Sequence, residues 1–172
     1  MSGSLVLIQE TTVSSPIASV TLTGIDSTFN VYQVNYFNVQ PSDDAVKLQI
    51  RFTVSGTPDT STNYSKAQLV TSSTSAHVEQ SSSNQSSIDS LDQGGTGTQE
   101  TLQGVHYLFN FSNASEFSFV TYEGTAISSA SQLNARQGGG VLKEAQANDG
   151  INYSFASGNI ASGTFKLYGL VK

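Results

Sequence analysis

Apolar and polar residues alternate through much of this chain. From position 46 to 54, Val46, Leu48, Ile50, Phe52 and Val54 interleave with Lys47, Gln49, Arg51 and Thr53. In an extended chain successive side chains point to opposite faces, so this pattern predicts a strand with the whole apolar set buried. Val105, Tyr107, Phe109 and Phe111 repeat it, with His106, Leu108 and Asn110 between them. So do Ile151, Tyr153 and Phe155, and later Phe165, Leu167 and Gly169. A glycine inside that last strand marks either a close backbone approach or a bulge. Residues 31–39 form a longer aromatic and β-branched run whose alternation slips at Tyr36-Phe37, which predicts a bulge or a change of sheet. Segments 5–10, 18–23 and 117–123 bring the total to about eight predicted strands. Asn148-Asp149-Gly150 predicts a tight turn, because Asp-Gly tolerates the positive φ of a hairpin.

Helical patterning is nearly absent. Ser and Thr make up roughly a quarter of the chain and compete with helical backbone hydrogen bonds. Residues 126–136 fit a short helix or an exposed strand equally well. About eight short strands without helices predict an all-β fold, an antiparallel β-sandwich of jelly-roll-like type. A single domain over 1–172 accounts for the length, since 172 residues are too few for two ordinary domains. Residues 71–103, rich in Ser, Gln and Gly, interrupt the rhythm and carry few core-forming side chains. They read either as a mobile surface insertion or as a segment ordered by a neighbouring subunit. Gly138-Gly139-Gly140 reads as a second flexible turn.

Composition narrows the functional classes. Charged residues are 12% of the chain, about half the usual share, yet seven Tyr and nine Phe supply core material. Seven Lys and Arg against thirteen Asp and Glu give a net charge of -6, which argues against a surface that tracks nucleic-acid phosphates. Without Cys there are no disulfides, thiolate metal sites or cysteine nucleophiles. The start Met1-Ser2-Gly3-Ser4 lacks the basic region of a secretory signal, and no stretch approaches the roughly 20 apolar residues of a membrane helix. Synthesis in the cytoplasm is the expectation, with no membrane partner.

Candidate chemistry is sparse. Gly94-Gly95-Thr96-Gly97-Thr98 has the glycines of a phosphate loop but not its lysine. His77 and His106 are the only imidazoles, and their spacing does not suit zinc. His106 falls on the polar side of its predicted strand, so it is expected solvated or interfacial, and no strong pKa shift is expected at His77, His106 or Asp43. Asp43-Asp44, after Pro41-Ser42, fits a solvated turn better than a carboxylate pair for catalysis or calcium. Asp89, Asp92 and Glu100 lie in the Ser-rich segment and are expected to keep it soluble. Five Asn-x-Ser matches, at Asn63, Asn84, Asn110, Asn113 and Asn152, arise by chance in a chain so rich in both residues. Tyr107, Tyr122 and Tyr153 would suit sugar stacking, although packing is the favoured role and there is no Trp. Catalytic, cofactor-binding and metal-binding residues are therefore expected to be none, and the chain is read as non-enzymatic.

Several motifs resemble small virion proteins of tailed bacteriophages, marine ones above all. These are Leu5-Val6-Leu7-Ile8-Gln9-Glu10-Thr11, Thr23-Gly24-Ile25-Asp26-Ser27-Thr28-Phe29-Asn30 with the aromatic strand after it, Asn38-Val39-Gln40-Pro41-Ser42-Asp43-Asp44, and the alternating segment 46–54. At the other end are Ser157-Gly158-Asn159-Ile160 and the run from Ser162-Gly163-Thr164 through Phe165-Lys166-Leu167-Tyr168-Gly169-Leu170. The resemblance spans residues 5–54 and 151–172, and leaves 71–136 unmatched. It implies a jelly-roll-type module of a head decoration, head fibre or tail-fibre tip, without catalytic residues. Capsid decoration is favoured, because no heptad-patterned shaft or separate attachment domain is present. The implied location is the virion. The implied partners are other virion proteins, the major capsid or tail proteins, together with copies of the chain itself as a homo-oligomer, a trimer by that resemblance. The alternative is a tail-associated adhesin or carbohydrate-binding module that recognises a host-surface glycan. A polysaccharide-degrading enzyme is the third reading, which a clustered acid pair would mark.

Overall fold

A computed structural model describes residues 4–74 and 77–171, without the side chains of Asp92 and Gln93. The strands are β1 (Leu5–Val13), β2 (Ser19–Thr23), β3 (Val31–Pro41), β4 (Val46–Val54), β5 (Thr57–Pro58), β6 (Tyr64–Ser72) and β7 (Val78–Gln85). They continue as β8 (Ile88–Gly94), β9 (Leu102–Phe109), β10 (Ser118–Ile127), β11 (Leu133–Leu142), β12 (Gly150–Phe155) and β13 (Ile160–Leu170). No helix forms among the described residues, and 126–136 is the end of β10, a turn and the start of β11.

The fold is an antiparallel β-sandwich with a jelly-roll strand order. One sheet begins β1-β13-β3-β9, and the other runs β2-β12-β4, with β8 and the two-residue β5 both paired to β4. Strands therefore alternate between sheets as the chain rolls up, which places the two ends of the chain side by side in both layers. Beyond β9 the large sheet is extended by β10-β11-β6-β7 to eight strands. Between the layers lie Leu22, Val34, Leu48, Ile50, Phe52, Ile151, Phe165 and Leu167, all fully buried.

The alternation of β4 translates directly into packing: Val46, Leu48, Ile50 and Phe52 are buried. Val54 is not, at 41% exposed, because it lies at the strand end where β4 pairs only with the short β5. The slip in β3 is a bulge. Its register with β9 shifts between Tyr36 and Val39, and Asn38 takes a left-handed φ of 54°. On the neighbouring β13 the register shifts again before Gly163, whose φ is 138°. A Cβ there would meet the Val39 Cα at 2.7 Å, so glycine is required where the two distorted strands press together.

Four expectations need correction. In β9 the inward face carries Leu102, His106 and Leu108, while Val105, Tyr107 and Phe109 lie half-buried on the outer face. Both faces of β9 carry large side chains, so alternation alone assigned them the wrong way round. Phe111 is buried against Phe52, with ring centroids 4.4 Å apart, because Asn110 (φ 61°) reverses the phase beyond the strand end. Residues 71–103 are not an irregular loop: β7 pairs with β6, and β8 pairs with β4 and brings Ile88 and Leu91 fully into the core. Ile88 and Leu91, three residues apart, are out of phase for a regular strand, and both face inward because the register with β4 shifts between them. The small Ser90 left over at the shift is buried, its Oγ donating to the Leu48 carbonyl at 3.4 Å. Gly138-Gly140 lies inside β11, paired on both sides, rather than in a turn. Finally, Asn148-Asp149-Gly150 joins no hairpin but carries the chain from one sheet to the other. There the Asp149 carboxylate accepts from Thr53 Oγ1 (2.7 Å) and the Gly56 amide (2.8 Å), tying this crossing to the end of β4.

Candidate functional site

The polar residues of the interior are not scattered. Cross-strand register aligns Val34, His106, Tyr122, Gly138, Gln68 and Gln80 in one row across the inner face of the large sheet. The row begins apolar at β3 and becomes polar towards the β7 edge. His106, expected in solvent, is fully buried. Its Nδ1 lies 2.7 Å from the Tyr153 hydroxyl across the sandwich, and the two rings stack 5.5 Å apart at 4°. Desolvation drives its pKa down to about 3, so the imidazole is neutral. This contradicts the expectation of an unshifted His106. No substrate in solution reaches this imidazole.

Tyr122 meets His106 edge-on at 5.8 Å and places its hydroxyl 2.8 Å from the Gln68 amide. The Arg136 guanidinium can only donate, so the Gln68 oxygen faces it, with Nη1 at 2.7 Å, and the Gln68 nitrogen donates to Tyr122 Oη and to the Asp89 carbonyl at 3.2 Å. Tyr122 and Gln68 come from β10 and β6, yet they meet because the residue between them is Gly138. A Cβ at Gly138 would lie 2.5 Å from Gln68 Cβ and 2.6 Å from the Ala67 carbonyl oxygen. Gly138→Ala is therefore expected to cost about 1–3 kcal/mol through overpacking. Urea denaturation checks this, with Gly139→Ala, where a Cβ has room, as the neutral control.

At the edge, Asp89 of β8 collects the charges. It accepts from Gln49 Nε2 (2.8 Å), Lys66 Nζ (3.1 Å) and Lys47 Nζ (3.3 Å). Burial raises its pKa, but the Gln49 hydrogen bond and the two ammonium groups outweigh this and hold it below the usual carboxylate value. Lys66 belongs to the large sheet and Asp89 to the small one, so the pair fastens the layers together. Asp89 is thus more than a solubilising charge. The Asp92 side chain lies outside the described residues.

The remaining candidates are dispersed. Asp43 and Asp44 are exposed in the turn between β3 and β4, as expected, with Ser42 Oγ donating to Asp43. His77 is exposed beside β7. The glycine loop 94–98 is closed on an anion of its own: the Glu100 carboxylate accepts from the Gly97 amide at 2.9 Å and lies where a Cβ on Gly95 would fall. A phosphate would have to displace it. Among the described residues no three His, Asp or Glu side chains gather to hold a metal ion. Of the three tyrosines considered for sugar stacking, Tyr122 and Tyr153 are buried, and only Tyr107 reaches the outer face.

That outer face carries two adjoining concavities. Over β10, β11 and β6 lies an open groove of about 470 Å3, bordered by Phe119, Thr121, Gly139 and Ala67. A second hollow of about 380 Å3, bordered by Tyr107, Glu123 and Gln137, shares Thr121 with it. The sequence signal for this groove was the glycine triplet, which reads as a turn until the strand pairing is known.

The architecture defines the class: a jelly-roll β-sandwich with an extended sheet, an ion-paired edge and a grooved outer face. No protein-family profile matches the chain, and no curated protein matches it either.

Proposed function

We propose that this chain is a non-enzymatic structural protein on the exterior of a tailed-phage virion, decorating the capsid. One observation carries the reading. The two segments that resemble phage virion proteins, 5–54 and 151–172, hold the strands that pair with one another: β1-β13-β3 in one sheet and β2-β12-β4 in the other. The likeness therefore falls on one spatial unit, the rolled half of the sandwich. The stretch between the two segments builds β5–β11, which complete both sheets and extend the large one. A common scaffold with its own elaboration suits a module that must seat on a particle while presenting a surface particular to itself.

The proposed partners are the capsid protein and further copies of the chain, as a trimer. Low charge density with many hydroxyl and amide groups suits close polar contacts between subunits. Quantitative mass spectrometry of purified particles, with immunogold labelling, tests the location. The protein is expected on heads, in fixed proportion to the capsid protein. Its absence from particles that infect normally, or labelling confined to tail tips, would reject capsid decoration. Light scattering of the purified protein at micromolar concentration is expected to give three times the 18.2 kDa chain mass. A monomer there, with no copy-to-copy contacts on the particle, would reject the assembly.

A further inference from the structure

We propose that the groove on the outer face of the large sheet and the hollow beside it form a binding site for a neutral oligosaccharide, with one sugar seated over Gly139 against Phe119 and the next reaching Tyr107, Thr121, Glu123 and Gln137. The proposal goes beyond virion decoration and does not depend on it.

Gly139 is a glycine without an internal reason. Gly138 and Gly140 face the core, and a Cβ on either would collide, with Gln68 in one case and with Ile88 Cδ1 at 2.5 Å in the other. Gly139 points the opposite way. Its φ is not left-handed, and the nearest atom to a Cβ would be the Val120 carbonyl oxygen at 3.4 Å, an ordinary contact. Glycine in mid-strand weakens a sheet, and one that nothing in the chain requires marks close approach by something outside it. Gly139 lies on the floor of the 470 Å3 groove.

The neighbours describe the occupant. Register places Tyr107, Thr121, Gly139 and Ala67 in one row across four strands. Phe119 stands in the next row on one side, 43% exposed, and Glu123 and Gln137 stand opposite each other in the next row on the other side. Rows on one face are about 7 Å apart and strands about 4.8 Å apart. Across two row spacings, roughly 14 Å or the length of two to three linked sugars, the face thus offers aromatic surface, a bare floor, and then a hydroxyl, a carboxylate and an amide. A pyranose has matching chemistry: C–H groups on its flat faces stack on aromatic rings, and its rim of hydroxyls donates to carboxylates and exchanges hydrogen bonds with amides. Charge removes the competing occupants. Lys66 borders the groove but turns its ammonium to Asp89, so no cation is offered to an anionic ligand. A second copy docked face to face would bring a second Glu123 to the same surface, in a chain of net charge -6.

The test is an array of neutral glucose, galactose, mannose and N-acetylglucosamine oligosaccharides beside sialylated and sulfated ones, followed by calorimetric titration of the full chain with the best neutral probe. Binding to at least one neutral series is expected, weakened tenfold or more by Gly139→Leu, which fills the floor, and by Phe119→Ser, with melting temperature and oligomeric state unchanged. Free oligosaccharide and polysaccharide on whole bacteria are compared next. Retention on cells that free oligosaccharide competes away points to a surface polymer, whereas capture of oligosaccharide alone points to a soluble source, and either supports the site. No binding to any neutral series, preference for the acidic glycans, affinity indifferent to both substitutions, or loss of oligomer in Gly139→Leu would overturn it. Because the array needs no particle, its outcome is separate from that of virion location.

Discussion

Acidification from pH 7 to pH 5 is expected to destabilise the protein through His106 alone. The folded imidazole titrates near 3 because burial excludes its charged form, whereas the unfolded one titrates near its ordinary 6.5. Between those values the unfolded chain binds the extra proton, so stability rises with pH across this window. It is fully present above pH 6.5 and lost progressively as pH falls towards 3. The loss amounts to about 2 kcal/mol by pH 5 and on the order of 4 kcal/mol at the lower end. The upper part of the window lies above the range in which Asp26, Asp59 and Asp89, all held below 3.8, lose their own contributions. His77, the only other imidazole, is exposed. Urea midpoints at pH 7, 6 and 5 should fall in the native chain. They should stay nearly level in His106→Phe combined with Tyr153→Phe, which removes both partners of the buried hydrogen bond and leaves neither unpaired. Equal slopes in the two proteins would show that His106 is not the buried group.

Leu91→Ala is expected to cost roughly 2–5 kcal/mol, because a fully buried leucine leaves a cavity that the surrounding strands fill only in part. At this chain length that corresponds to a fall in melting temperature of about 2–4 °C per kcal/mol. Val78→Ala, earlier in the same Ser-rich segment but 49% exposed on β7, should change stability by less than about 0.5 kcal/mol. Differential scanning calorimetry of the pair distinguishes a core strand from a surface insertion. Equal melting temperatures in Leu91→Ala and the native chain would return residues 71–103 to the status of a loop.

Much of the architecture was legible because period two is a strong signal where one face is buried and the other is wet. The strand at 46–54 shows this, with four of its five apolar residues in the core. The bulge in β3 was equally readable, since two consecutive aromatic residues break the period and leave one side chain facing the wrong way. The polar row was not legible. His106 sits between two apolar neighbours, and local pattern places such a residue in water. Its burial depends on Tyr153, 47 residues later on the opposite sheet, which supplies the hydrogen bond that makes an interior imidazole tolerable. The grooved outer face was hidden for a related reason. A run of glycines has the same composition in a turn and in a strand, and only pairing with β10 and β6 shows which side of Gly139 is empty.

By itself, then, the sequence determined the fold class and the dominance of strand, because these follow from local backbone preference and from the period of apolar side chains. It also determined the weak charge of the surface and the lack of thiol chemistry, which are matters of composition. Tertiary structure alone decided which face of β9 turned inward, whether residues 88–94 joined a sheet, and which tyrosine remained accessible. Each of those outcomes depends on a partner distant in the chain: Tyr153 for His106, β4 for β8, and Gly138 for the meeting of Tyr122 with Gln68. Long-range pairing chooses among alternatives that local alternation leaves equal in energy, and a buried polar group is stable only where the opposite layer completes its hydrogen bonds.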